Sequence, residues 1–282
     1  MTNKTKGIIS LIVAALGFAL MSIFVKQAGE LPTAQKVLFR NGVSMIIAFI
    51  IITYKKEKYY GSLANQKLLL IRSVFGTVGM LLFFYSIDNL IVSDANMLNK
   101  LSTFFLIIFS AIFLKEKIKA YQIFAILIAL IGTLFIIKPE FDFDVIPYLT
   151  SITAAMFAGA AYTVLRGLRD KENIYTIVLY FSTFSCIILT PFVIINYKPM
   201  SFDQVLFLIL TGLAATVGQF GTTLAYKFAP ANQISIFNYT NVLFVSLLSI
   251  PLLSETPDKY SLLGYLIIFS ASLYMYVKKQ KS

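Results

Sequence analysis

The chain contains no histidine and only one cysteine, Cys186, among its 282 residues. Without imidazoles and with a single thiol, a conventional transition-metal or structural zinc site has no ligand set, and an intrachain disulfide is excluded. The commonest general base is missing too. No paired carboxylates at a useful spacing and no glycine-rich nucleotide loop with lysine and serine take its place, and Ser22, Ser235 and Tyr239 have no activating partner in view. The expectation is a protein that is not an enzyme and takes no cofactor and no metal. Charge is scarce as well: 13% of residues are Asp, Glu, Lys or Arg against 58% hydrophobic, and the mean hydropathy is +0.81. A soluble chain of this length would alternate amphipathic elements with polar loops, and this one does not.

What fills the chain is long apolar runs. Crossing about 30 Å of hydrocarbon takes about 20 mainly apolar residues. Such spans read as 7–26, 33–53, 67–87, 92–114, 120–138, 147–166, 174–196, 203–226, 230–253 and 260–277, with breakers between them at Pro32, Gly61, Pro139, Pro199, Pro230 and Pro257. The first run is long for a signal peptide and no small-x-small cleavage pattern follows it, so it reads as a retained span. If the N-terminus is cytoplasmic, the inside segments hold sixteen basic residues, from Lys4 and Lys6 through the Lys55–Lys58 and Lys115–Lys119 clusters to Lys281. The outer ends hold five: Lys26, Lys36, Lys138, Lys198 and Lys259. That bias orients a multi-pass cell-membrane protein with both termini cytoplasmic. It also accounts for the net charge of +11 without nucleic acid.

The stretch from Ser93 through Asn99 and Lys100 to Leu114-Lys115-Glu116 recurs in outline 139 positions later, from Asn232 through Asn238 and Tyr239 to Leu253-Ser254-Glu255. Five spans per copy is an odd number, so the copies lie in opposite orientations. The fold class is thus an all-alpha membrane protein of ten transmembrane helices in two inverted five-helix repeats, 1–139 and 140–282.

Three cations, Arg40, Arg72 and Lys100, lie inside spans, where a charge costs roughly 2.5–3.5 kcal/mol on insertion scales. Arg72, near the cytoplasmic end of span three, is expected to reach the headgroups by snorkelling; Arg40 fits snorkelling and cavity equally. Lys100 is the cavity candidate, because Asp94, Asn96 and Asn99 crowd the same end of its helix. Asp94 is the obvious counter-charge, although six residues do not place it on the face of Lys100. Asn238 and Tyr239 in span nine and Gln219 and Thr223 in span eight add polar groups too dense for interhelical glue alone. Tyr85, Phe157 and Tyr162 offer aromatic wall. Gly76, Gly79, Gly212, Gly218 and Gly221 read as close-contact positions between helices.

These features resemble an EamA-type member of the drug/metabolite transporter superfamily over nearly the whole chain. The resemblance is carried by Leu38-Phe39-Arg40, Leu70-Ile71-Arg72-Ser73, Tyr85-Ser86-Ile87, Leu114-Lys115-Glu116-Lys117-Ile118 and Leu253-Ser254-Glu255. It implies a central cavity lined by spans one, three, four, six, eight and nine, and secondary active or facilitative transport of a small organic solute by alternating access. The chain departs from many relatives in having no tryptophan, and Tyr239 stands where the first repeat has Lys100. The buried cations favour an amino acid or another carboxylate-bearing solute. An organic cation such as a quaternary amine, held by the aromatic residues, is the alternative; a non-transporting scaffold or receptor is the alternative of another class. Expected partners are the solute and the bilayer, in a bacterial inner membrane, with proton coupling through Asp94 as one option and a monomer or weak homodimer as the assembly.

Overall fold

The structure is a computed structural model that describes residues 2–115, 117–138, 145–168, 171–229 and 234–280. Among them are ten helices or helix pairs long and apolar enough to cross a membrane. They begin with α1 (Asn3–Gln27), α2 (Thr33–Lys55), α3 (Gln66–Asn89), α4 (Val92–Asn99), α5 (Ser102–Leu114) and α6 (Ala120–Ile137). They continue with α7 (Ile146–Leu168), α8 (Ile174–Ile195), α9 (Phe202–Phe228), a 3-10 segment (Ser235–Tyr239), α10 (Thr240–Leu253) and α11 (Lys259–Gln280). Span four is α4 plus α5, and span nine is the 3-10 segment plus α10.

Packing between the halves is two-fold symmetric. Helix α1 packs on α9 as α3 packs on α7, and α1 packs on α10 as α7 packs on α4 and α5. Pairs α2–α8 and α6–α11 lie across the axis itself. The symmetry reaches single residues. A Cβ on Gly79 would lie 3.2 Å from the Phe157 Cβ, and one on Gly218 would lie 2.7 Å from the Phe18 ring. The two glycines, and the two phenylalanines, are each 139 positions apart. Bare backbone at these points lets helices approach where lipid supplies no hydrophobic drive between them. Spans four and nine end in the same way, with left-handed Lys115 (φ 57°) and Ser254 (φ 56°), again 139 apart. Such a residue stops a helix by turning its last carbonyls back onto the chain.

Span four, expected as one helix over 92–114, is broken. At the join, the amides of Lys100 and Leu101 bond the carbonyls of Met97 and Leu98, and those of Thr103 and Phe104 bond Lys100 and Leu101, all in i→i−3 fashion. The tight turn sits at Lys100. In span nine the 3-10 segment ends at Tyr239, the equivalent position. Short 3-10 stretches inside helices mark hinges and strained sites.

The face opposite the start of α1 is tied across the halves. Lys26 bonds the carbonyls of Ile87, Asp88 and Leu90 at the end of α3 and pairs with Glu255 (3.2 Å). Glu255 in turn accepts from the Val92 amide at the start of α4 (2.8 Å). The cation thus sits on a helix C-terminus and the anion on a helix N-terminus, each where the backbone dipole favours it. Lys138 pairs with Asp258, and Gln35 exchanges two hydrogen bonds with the Lys198 backbone. Partial burial works against the Asp258 charge, but Lys138 and the amides of Ser261 and Tyr260 outweigh it and hold the carboxyl below its ordinary range.

Candidate functional site

Lys100 is half-buried at the break in span four, and no described side chain forms a hydrogen bond or ion pair with its amine. Among the described residues, no charged group stands close enough to act on it. Beside it, Asn99 holds a buried Oδ1 without a hydrogen-bond partner. The neighbouring span is brought close by Gly159, where a Cβ would lie 2.6 Å from Phe105 Cβ and 3.0 Å from the Ser102 carbonyl.

The other polar residues of span four are taken up by its neighbours. Asn96 accepts from Ser22 on α1 (3.2 Å) and donates to the Val92 carbonyl. Asp94 does not serve Lys100. Its Oδ1 accepts from the Tyr265 hydroxyl on α11 (2.6 Å), and its charged neighbours are Lys138 and Asp258. The six-residue offset turns it to the opposite side of the helix, against the α6–α11 seam. Its second oxygen is buried and unpartnered.

Tyr239, the counterpart of Lys100, turns toward α11. Its ring packs edge-on against Phe269 (5.7 Å) and its hydroxyl bonds Ser272. Asn238 and Gln219 are half-buried and both have partners; the Thr223 side chain lies outside the described residues. Asn241 bonds the Ala15 carbonyl on α1 (3.1 Å). Phe157 is half-buried between Gly79 and the Phe75 ring (5.9 Å), and Tyr85 is 38% exposed near the end of α3.

Arg40 on α2 and Arg72 on α3 lie within electrostatic range of one another, and Tyr162 on α7, 48% exposed, lies within range of both. Arg72 does not snorkel: it is 7% exposed, with its guanidinium over the Phe181 ring at 4.1 Å. Gly76 makes room for it, since a Cβ there would lie 2.7 Å from Arg72 Nη1. Arg40, 3% exposed, donates to Asn41 (2.6 Å), which donates to Ser185 on α8 (2.7 Å). Snorkelling fails for both because stacking and this relay hold the guanidinium groups inside the bundle.

Sequence reading missed the fully buried Lys36, paired with Asp88 at 2.6 Å and bonded to the Val25 carbonyl. Lys36 counts as an outer-end residue in the charge tally, and its partner is 52 positions away. The one available signal is an aspartate closing span three beside a loop cation.

Ten membrane helices in two symmetry-related halves, with both central helices broken, define a multi-pass transporter fold. The EamA-like transporter family matches residues 5–138 and again 145–277, so the chain belongs to that family. Its members are transporters, not enzymes, and the chain is accordingly a transporter of small solutes. It is 26% identical over 270 residues to the pseudopaline exporter CntI of Pseudomonas aeruginosa, covering 95% of this chain and 94% of that one. An uncharacterized transporter of Helicobacter pylori is 26% identical over 280 residues, with 95% and 93% covered. Mouse solute carrier family 35 member G1 is 25% identical over 278 residues, with 93% and 76% covered. A solved crystal structure superposes with a TM-score of 0.63 over 95% of this chain and 98% of its own at 12% identity, which speaks to the fold alone.

Proposed function

We propose that the protein carries an amino acid or another small carboxylate-bearing solute by alternating access, with Lys100 as the principal contact for the carboxylate. The observation that carries this reading is the amine of Lys100 at the break of span four, which no described side chain engages. Lys26, Lys36, Lys138 and Lys198, by contrast, are all engaged with carboxylates or carbonyls. An unpaired ammonium inside the membrane is costly, and a bound carboxylate offsets that cost in a way a cation would not. Asn99 supplies a neighbouring polar group, with Phe157, Tyr162, Tyr85, Gln219, Thr223 and Asn238 as further wall. Tyr239 supports the break rather than the solute. The moving units are the two halves, 1–139 and 140–282, with the termini cytoplasmic. On this reading the face tied across the halves by the Lys26–Glu255 and Lys138–Asp258 pairs is the outer gate. The named relative from Pseudomonas is an exporter, which favours outward movement.

Purified protein in liposomes, offered labelled amino acids, organic acids and amines under imposed gradients with and without a pH difference, tests the proposal. Carboxylate-bearing solutes are expected to move and amines are not. Movement of amines alone would overturn the assignment, and binding without movement would favour a receptor.

A further inference from the structure

The buried arginines have no counter-ion among the described residues, and Lys100 is not among the groups that act on them. Among the described residues, all three ion pairs lie elsewhere, and no carboxylate stands within electrostatic range of Arg40 or Arg72. Arg40 Nε, Arg72 Nε and Arg72 Nη1 are buried without a hydrogen-bond partner. Arginine keeps its charge in proteins, so neutralisation is not a way out. Two like charges taken from water with donors left over carry a penalty of several kcal/mol per ion in the absence of a partner. Both guanidinium groups are nonetheless held in place before any partner arrives, one stacked on Phe181 and the other fixed through Asn41 and Ser185. Planar guanidinium groups held in this way match the oxygens of carboxylate and phosphate.

A cavity of about 640 Å³ lies on α2 and α3, which carry the arginines, and on α8, which carries Phe181 and Ser185. Its lining includes Ala34 from α2, Val74 and Thr77 from α3, and Phe184 and Ile188 from α8. On α2 and α3 the arginines lie a few residues from the lining in the same direction, toward the face where α1 begins. Thr77 leads Arg72 by five residues, or about 7.5 Å along the axis. Thr77 lines the cavity, and its hydroxyl is buried without a hydrogen-bond partner.

We propose that Arg40 and Arg72 form a second anion site, for a carboxylate or phosphate group, distinct from the contact at Lys100. The oxyanion belongs either to a free small anion or to a lipid headgroup whose chains occupy the apolar cavity. The site goes beyond the transport reading and does not depend on it.

The test measures the thermal midpoint of the full chain in phosphatidylcholine nanodiscs. One arm titrates inorganic phosphate at constant ionic strength, and the other replaces part of the lipid with phosphatidylglycerol. A site that binds the folded state raises the midpoint saturably. The wild type is expected to show this in one arm, which identifies the source. Arg72→Gln should bind at least tenfold more weakly and be no less stable than the wild type without anion, since it sheds an uncompensated charge. If that variant does not fold, Arg40→Gln, which keeps the stacked guanidinium, carries the same comparison. Lys100→Met should keep the full shift, so failure here and failure of the solute assignment are distinguishable. No shift in either arm, or an equal shift in the arginine variants, overturns the proposal.

Discussion

Spans four and nine occupy equivalent places in the two halves and break at equivalent residues, yet they spend the break differently. At Lys100 the turn presents an ammonium that no described side chain engages, beside a buried Asn99 amide oxygen without a hydrogen-bond partner. At Tyr239 the same turn is closed off, with the ring on Phe269 and the hydroxyl on Ser272. Inverted symmetry delivers two breaks, and on the proposed reading side-chain chemistry leaves one of them for a ligand. A transporter built this way can bind an asymmetric solute at a symmetric seam: the charge comes from the first half and the supporting packing from the second.

The largest effect should come from removing the open side of this pair. Replacing Lys100 with Met deletes a charge-assisted hydrogen bond of about 1.5–3 kcal/mol, so carboxylate binding and transport should fall by roughly ten- to a hundredfold. Membrane insertion should be unchanged. Wild-type solute affinity in purified Lys100→Met protein would remove the residue from the site. A smaller effect is expected where the two spans touch. Glu255, just beyond span nine, holds the first amide of span four and the Lys26 ammonium. Glu255→Gln keeps an acceptor for Val92 but loses the charge, and about 1–2 kcal/mol of stability should go with it. The thermal midpoint measures this, and an unshifted midpoint would show that the clamp contributes nothing to the described conformation.

The breaks explain why the fold was more legible than the site. Hydropathy and the 139-residue offset located ten spans, and the same offset relates Gly79 to Gly218 and Lys115 to Ser254. These features depend on composition and local backbone, which a sequence displays directly. The break at Lys100 carries no proline or glycine, so nothing in the run from Val92 to Thr103 announces it. Side-chain direction was equally hidden. Asp94 looked like a partner for Lys100 and serves Tyr265, while Arg72 looked exposed and lies on Phe181. Each outcome is set by a residue more than a hundred positions away, which helical periodicity cannot see. Density of polar groups in span nine marked the right region, but Asn241 answers α1 and Tyr239 answers α11.

The closed side of the comparison should give the smallest change and the sharpest contrast. Tyr239→Phe keeps the aromatic contact and deletes only the hydroxyl, leaving the Ser272 hydroxyl without this partner inside the bundle. Polar contacts between membrane helices average about 0.6 kcal/mol, and a buried donor left unsatisfied costs about 1–3 kcal/mol. A loss of about 1 kcal/mol is therefore expected in denaturation, with solute affinity within about twofold of wild type, because the hydroxyl faces α11 and not the break. Ser272→Ala in the Tyr239→Phe background removes the orphaned donor and should return part of the loss. If Tyr239→Phe instead weakened solute binding as much as Lys100→Met does, the two breaks would be functionally equivalent, and the assignment of charge to one half and packing to the other would fail.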